Sequence, residues 1–587
     1  MSPAPPLIER IPSADARVRS PDQLTPRVNS GGTHAPLPLS LRQQVASKTH
    51  FDVAIIGSGI LGSALAYSLA TSGRSVVVLE RDLSEPDRIV GELLQPGGCL
   101  ALQKIGIDDA LEGIDATPCK GYEVFWGDQS VRIPYPEETK SMIWSDGSER
   151  KQEGRSFHHG RFIQNLRTKA VGAENVTMVE ATVNDLVEDE SGRIVGVKAT
   201  PKRPSTSASD SDPDDSTPFE FRARLTIVAD GCMSKFRRQL LPSHVQPITR
   251  SHFVGLVLED PDLPSPHHGH VILGKSDPTQ PAPPPSNLDV PSLGPVLVYQ
   301  LATHETRMLV DVRGHKLPPA RQLASFLRTH VSPVLPRSIV ASFERALVKA
   351  ESGDKAYRLR SMPNSYLASY PQGRENPGAI LAGDSMNMRH PLTGGGMTVA
   401  LNDVVILTEL LGGGTTVKDA QPDARGVVDL DDWNEVSERL EEWHWKRKGV
   451  ASCVNILSMA LYSLFGADDE NLEVLKTGCF KYFEMGGDCI DGPVSLLSAL
   501  RPNPALLFYH FFRVAFYSIY LLFTLPRFPR TASPGRTGAS SGDDKDVTIK
   551  PRKPTWGDYP ALTVQSFKVF WTAVVVFMPV LWKEGQM

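Results

Sequence analysis

Residues 51–81 read FDVAIIGSGILGSALAYSLATSGRSVVVLER, and this stretch decides the fold. Asp52-Val53-Ala54-Ile55-Ile56 is a short apolar run, as expected of a strand buried on both faces. Gly57, Gly59 and Gly62 follow as G-x-G-x-x-G. The first glycine permits a tight turn. The second lets backbone approach a pyrophosphate, and the third lets the next helix pack on the sheet. That helix start offers free N–H groups and a positive dipole end to the same pyrophosphate. Ser75 to Leu79 reads as a second strand, and Glu80 at its end can accept hydrogen bonds from a ribose diol. Strand, glycines, helix and terminal acid together point to a dinucleotide. NAD and FAD both satisfy this unit.

The chain of 587 residues is long enough for two or three domains, and its net charge of −5 gives no basic excess that would favour nucleic acid. Six cysteines lie scattered without C-x-x-C spacing. That pattern fits reduced thiols on the cytosolic side and disfavours a zinc site or a disulfide framework. Residues 1–48 are rich in Pro, Ser and Arg and read as a disordered leader. Pro201 to Thr217, Ser276 to Pro295 and 531–548 read as polar inserts or linkers.

Asp82 to Gly98 follows the ribose end of the second strand, so it lies beside the cofactor. Its proline and paired glycines suggest a shaped loop rather than a regular element. Arg88 can reach phosphate or a cofactor ring from this loop, and Gln95 is the polar group best placed to meet a reacting centre. Gly121 to Pro136 alternates and is aromatic-rich, as strands of a second sheet are. Tyr122 sits on that sheet. Val176 to Val187 and Arg193 to Thr200 form a hairpin-like pair. His158 and His159 are neighbours, a spacing unsuited to one metal, so no metal site is expected.

Two later strands end in the same way. Leu225 to Ala229 runs into Asp230-Gly231, and Gly378 to Ala382 runs into Gly383-Asp384. A glycine turn, Gly394-Gly395-Gly396, then opens a further helix and offers a second set of bare N–H groups. Two such helix starts suit a large bipartite cofactor.

The ordered motifs G-x-G-x-x-G…E, A-D-G-x-x-S-x-x-R and G-D…G-G-G-M resemble the flavoprotein monooxygenases of the aromatic-hydroxylase fold. Within them the chain is similar to the squalene epoxidases (squalene monooxygenases) of fungal type. The strings that carry this are DRIVGELLQPGG (87–98), FHHGRF (157–162), VADGCMSKFR (228–237), RSMPNS (360–365) and GDSMNMRHPLTGGGMTVAL (383–401). The resemblance implies an α/β fold: a Rossmann-like FAD-binding domain interleaved with a β-sheet substrate domain, followed by C-terminal membrane-associated helices. The FAD domain is expected at 49–120, 151–250 and 375–410, the substrate domain at 121–150 and 251–374. A helical region at 411–500 and membrane-associated helices at 501–587 follow.

The resemblance also implies epoxidation of squalene to (S)-2,3-oxidosqualene in ergosterol synthesis, with FAD as cofactor and dioxygen as co-substrate. Electrons would come from NADPH through a separate diflavin reductase, at the endoplasmic reticulum membrane, with the catalytic domain on the cytosolic side. Another FAD-dependent hydroxylase or a polyprenyl reductase of the same fold is the competing expectation. Matched by position, cofactor contacts fall on Ile60, Leu61, Glu80, Arg81, Arg88, Leu93, Arg167, Val183, Asp384 and Met397, beside the glycines Gly57, Gly59 and Gly62. Asp384 suits ribityl hydroxyls, backbone at Gly396-Met397 the flavin carbonyls, and main chain at Val183 the adenine. Tyr122 matches the family's active-site tyrosine and Gln95 the glutamine it orients.

Ala505 to Leu525 would span about 30 Å as a helix, close to a bilayer core, but it contains His510 and Arg513. Ser566 to Trp582 is a second apolar run, short for a span. A helical hairpin dipping into one leaflet of membrane lipid is expected over two spans. Asp432 to Lys448, charged and tryptophan-bearing, reads as a helix at the outer face.

Overall fold

The computed structural model describes residues 50–136, 142–144, 147–202, 218–274, 291–314, 316–354, 357–414, 426–466, 469–526 and 552–586. The leader, most of both Ser/Pro-rich inserts and the 531–548 linker lie outside the described residues.

The opening strand His50–Ile56 is the centre of a parallel array. Val76–Glu80 pairs on one side of it and Phe219–Val228 on the other, and Ala379–Leu381 adds beyond Phe219–Val228. The register sets Ile56 opposite both Leu79 and Val228, and Val228 opposite Leu381. The three glycine- or aspartate-bearing turns therefore leave the sheet at one carboxyl edge, where α/β sheets hold ligands. Val176–Glu188 runs parallel to Val76–Glu80 in its first half. Register shifts after Val183 and Val187 then bend it, and its second half pairs antiparallel with Ile194–Pro201. That strand pairs in turn with the start of Phe219–Val228, closing a ring of five strands.

Behind the first turn, helix Ile60–Thr71 packs on the sheet and on helix Gly396–Leu411. A methyl group on Gly62 would stand 2.0 Å from the Gly57 carbonyl oxygen, so the third glycine is required by close approach.

The second sheet is ordered Arg360–Tyr366, Ile248–Glu259, Glu305–Arg313, Ser292–Gln300, Gly269–Leu273, Gly121–Trp126, Gln129–Pro134. Alternate residues serve two cores, as the two-residue pleat demands. Val254, Val298 and Val310 face helices Ala320–His330 and Arg337–Glu351. Phe253, Leu297 and Leu309 face the other way, onto Leu392 and onto Tyr462, Phe480 and Val494 of the C-terminal helices. The end of the second proline-rich insert is a strand in this sheet, and Pro295 lies at its register shift between Leu293 and Val296.

Two further expectations change. Pro96 does not continue a loop but stands in the first turn of helix Pro96–Ile105, where a missing N–H costs nothing. Gly97 and Gly98 serve packing: a methyl group on Gly97 would meet the Ser498 carbonyl oxygen at 2.8 Å. Asp432 to Lys448 does not lie wholly at the outer face. It opens the 33-residue helix Trp433–Phe465, which buries Trp443 and Arg447 against Asp403.

Helices Glu470–Glu484, Asp488–Leu497, Pro504–Thr524 and Tyr559–Gln586 complete the chain. The last has 28 residues and carries Pro579 within it, so it is longer than its apolar run suggests. Trp433–Phe465, Pro504–Thr524 and Trp556–Gly585 are long and apolar enough to cross a membrane, by length and composition.

Candidate active site

The cradle at the carboxyl edge is built from backbone. Gly57 has φ +100°, and a side chain there would strike the Ala229 carbonyl oxygen at 2.6 Å. Gly59 and Gly396, at the two helix starts, face open space: a methyl group on either would meet nothing within 4 Å. The Ile60–Thr71 helix has no side-chain cap, so its first N–H groups remain available to an anion. An extended pyrophosphate-bearing cofactor fits this arrangement of bare glycines between two uncapped helices.

Polar residues brace the cradle. Glu80 accepts from Ser58 N–H at 2.8 Å and Asp82 N–H at 3.2 Å, with lone pairs left for a ribose. Arg167 is buried and donates to the carbonyls of Ser58 (3.2 Å), Ser84 (3.0 Å) and Asp82 (3.2 Å). It is spent on holding the loop after Glu80 to the glycine turn. Arg237 does the same across the other two turns, donating to Ser385 O (2.7 Å), Asp384 O (3.0 Å) and Gly231 O (3.2 Å). Arg81, Arg88 and the Asp384 side chain are exposed, free to meet a ligand. Ile60 is partly open, Leu61 and Met397 are buried, and Val183 is buried where its strand bends. His159 bonds the Gly91 carbonyl through Nδ1 at 2.7 Å. Burial pushes its imidazole down to about 4, so it is a neutral donor at pH 7.

Gln95, directly after the short strand Leu93–Leu94, meets the second sheet at Tyr122. Gln95 is fully buried, and each end of its carboxamide is engaged. Its oxygen accepts from the Tyr135 hydroxyl at 2.8 Å, and its nitrogen donates to the Thr393 carbonyl at 2.8 Å and to the Tyr122 hydroxyl. Gly394 follows Thr393 with φ +61°, and a methyl group there would sit 3.2 Å from Gln95 Nε2 and Leu93 O. The glycine turn thus closes directly on the glutamine. Burial raises both phenols far above their usual range, so Tyr122 and Tyr135 remain neutral. One turn before Gln95, Glu92 forms a buried bidentate pair with Arg307, both contacts 2.8 Å, and accepts from Tyr299 at 3.2 Å. This pins the start of the Leu93–Leu94 strand to the second sheet.

Gln95 and Tyr122, far apart in sequence, are therefore in direct contact. Tyr135, Thr393 and the Glu92–Arg307 pair are the members that sequence reading missed. Tyr135 lies in the same aromatic hairpin as Tyr122, but no spacing rule distinguishes it there.

Beyond Tyr122 the surroundings are apolar. Leu461 and Phe483 pack on the cluster that contains Tyr122, and they also line a cavity among the C-terminal helices with Pro493, Leu496, Phe511 and Phe577. An elongated hydrocarbon fits such a lining.

Comparison with known proteins agrees with this geometry. A squalene epoxidase family model matches residues 222–534, and an FAD dependent oxidoreductase model matches residues 52–86. The squalene epoxidase of Schizosaccharomyces pombe is 41% identical over 469 residues, covering 80% of this chain and 90% of that protein. That of Aspergillus fumigatus is 40% identical over 566 residues, 96% of this chain and 99% of that protein. Among solved structures, p-nitrophenol 4-monooxygenase PnpA from Pseudomonas putida shares the fold. It has a TM-score of 0.54 at 16% identity, covering 79% of this chain and 98% of that one. Family model, relatives and fold converge, and the chain belongs to the squalene epoxidase family of FAD-dependent monooxygenases.

Proposed function

We infer that the chain epoxidises squalene at its terminal 2,3-double bond, with Gln95, Tyr122 and Tyr135 as the polar end of an apolar pocket. FAD is the cofactor, and squalene and dioxygen are the substrates. The observation that carries the site assignment is the buried Gln95 carboxamide, bonded at once to Tyr122, Tyr135 and the glycine turn.

FAD would be held by the turn at Gly57, Gly59, Ile60, Leu61 and Gly62, by Glu80 and Arg81 at the ribose, and by main chain at Val183. Arg88, Leu93 and Asp384 would contact it, Arg167 would fix the loop around it, and backbone at Gly396-Met397 would serve the flavin carbonyls. When bound and reduced, FAD supplies two electrons; with two protons, one atom of dioxygen enters the epoxide and the other leaves as water. The chain's own residues orient and exclude. Squalene has no polar handle, so shape alone presents one terminal alkene. The neutral Tyr122 hydroxyl keeps its proton and accepts from the Gln95 amide, which it helps to aim. Apolar walls keep water from the reacting atoms. No side chain is assigned as a general acid or base.

The FAD-binding segments are 49–120, 151–250 and 375–410, the β-sheet substrate segments 121–150 and 251–374, and electrons arrive from a separate NADPH-dependent diflavin reductase. The C-terminal helices hold the chain on the endoplasmic reticulum membrane, with the FAD domain on the cytosolic side. Six free thiols, five of them buried, suit that reducing side. Arg513 supports shallow insertion, because it donates to Asp488 (3.3 Å) and Tyr509 (2.9 Å) on the protein surface. The test is purified full-length protein with a diflavin reductase, NADPH, dioxygen and squalene. The expected product is 2,3-oxidosqualene. NADPH consumption through the flavin without that product overturns the assignment.

A further inference from the structure

Besides Arg307, the inward face of the second sheet buries polar side chains at three adjoining positions. Ser251, Asp311 and Asn364 lie on the neighbouring strands Ile248–Glu259, Glu305–Arg313 and Arg360–Tyr366, and none is more than 2% exposed. Ser251 is paired directly with Asn364, and Asp311 stands opposite Phe253, two residues from Ser251. Burying an acid in such a face is costly unless its bonds are satisfied. Asn364 Nδ2 donates to Asp311 Oδ1 at 3.0 Å and to Ser251 Oγ at 3.1 Å, and the Ser251 hydroxyl donates to the same Asp311 oxygen.

The fourth member comes from the other domain. His390 is 2% exposed and immediately precedes the Pro391–Thr393 turn. Its Nδ1 accepts from Leu392 N–H at 3.2 Å, so its ring proton is on Nε2. Nε2 lies 3.1 Å from Ser251 Oγ and 3.5 Å from Asp311 Oδ1. The ring stacks on Tyr462 at 4.1 Å and meets Phe253 edge-on at 5.5 Å. Serine, histidine and aspartate here are not a nucleophilic relay. A relay needs the imidazole to take the hydroxyl proton, whereas the nitrogen facing Ser251 already carries one and the hydroxyl proton goes to Asp311.

We propose that His390 is a positioning residue for the oxygenation: it ties the flavin-facing turn Pro391–Gly394 to the second sheet through Ser251 and Asp311. The turn's Thr393 carbonyl is the group that Gln95 Nε2 bonds, and it lies 3.4 Å from the Tyr122 hydroxyl. Capping Leu392 at one ring nitrogen and gripping the sheet at the other fixes that carbonyl. The relative placement of flavin, Gln95 and alkene then follows from a side chain that touches none of the reacting atoms. The proposal rests on reading this turn as the flavin site.

Loosening the tie leaves FAD bound but misplaces the alkene. Dioxygen is then reduced by two electrons and two protons to hydrogen peroxide without epoxide formation. The experiment measures bound FAD, hydrogen peroxide and 2,3-oxidosqualene per NADPH, for the full chain with a diflavin reductase. In His390→Asn the shorter amide can still cap Leu392 but does not reach Ser251. In Ser251→Ala the cap and the Asn364–Asp311 bond both survive. Both variants are expected to keep FAD and to raise the peroxide share of NADPH by roughly threefold. A merely structural brace would lower the melting temperature without moving that share. Wild-type coupling in both variants overturns the proposal, and if His390→Asn does not fold, Ser251→Ala decides alone. Wild-type protein without flavin would instead overturn the flavin reading itself.

Discussion

Tyr122 shows how much can depend on one buried hydroxyl. Its oxygen accepts from Gln95, whose amide nitrogen also holds Thr393 O at 2.8 Å. In Tyr122→Phe the amide keeps one of its two acceptors, so the glutamine loses aim rather than its place. A hydrogen bond of this kind is worth about 1 kcal/mol, which converts to roughly a fivefold loss of epoxidation. Flavin content should stay at the wild-type level; apoprotein would make Tyr122 a structural residue. His159 gives a pH prediction with a definite sign. Its imidazole, depressed by burial to about 4 from 6.5, takes up a proton in the unfolded chain before it does in the folded one. Stability is therefore complete above the unfolded value and falls as pH drops through the folded one, by about 3 kcal/mol for this group. His159→Gln should remove about one proton's share of the slope of unfolding free energy between these values. An unchanged slope, measured by denaturant titration, would place the pH sensitivity elsewhere.

At the scale of elements, the strand-turn-helix units were legible because local chemistry determines them. The run Val53 to Ile56, the glycines after it and the aligned turns at Asp230 and Gly383 need no distant partner to be read. Gly57 makes the point testable. With φ +100° and a carbonyl 2.6 Å from any added methyl group, Gly57→Ala should displace the first turn and abolish FAD retention. Recovery of stoichiometric flavin in that variant would contradict the cradle. The elements that misled are those whose residues answer to distant partners. Gly97 and Gly98 look like helix breakers, yet they let helix Pro96–Ile105 approach Ser498 and Thr398. Trp443 and Arg447 look like a solvated face, but Asp403 draws both inward, with Arg447 bonded at 2.8 and 2.9 Å. Tyr135 was illegible for the same reason: its meaning lies in Gln95, which reaches it only once two sheets have met. Such buried pairs also carry stability. Arg307→Met strands the Glu92 carboxylate in the core and should cost about 3–5 kcal/mol in chemical denaturation.

For the whole molecule, the question is how the buried pocket proposed at Gln95 and Tyr122 obtains a substrate that does not dissolve in water. The C-terminal helices answer it by having two different faces. Their inner faces line the apolar cavity next to the Tyr122 cluster. Their outer faces expose Phe508, Phe516 and Tyr520 on one helix, and Phe567, Trp571 and Trp582 on the last. Contiguous apolar surface of this kind is unfavourable in water and marks an interaction site. Aromatic rings with a polar edge suit the lipid headgroup boundary. The same elements that enclose the hydrocarbon site can thus rest in the phase that stores the hydrocarbon. Replacing Phe567 and Trp571 together by glutamate should test this without touching the cavity, because both side chains point away from the core at 73% and 66% exposure. The expected result is loss of co-flotation with neutral phospholipid vesicles at unchanged flavin content. Turnover of squalene supplied in detergent should stay near wild type, while turnover of squalene supplied in vesicles should fall roughly tenfold, as lost interfacial binding implies. Undiminished flotation would show that these helices do not make the membrane contact. Equal losses in detergent and in vesicles would show that the outer face acts on the pocket itself rather than on substrate delivery.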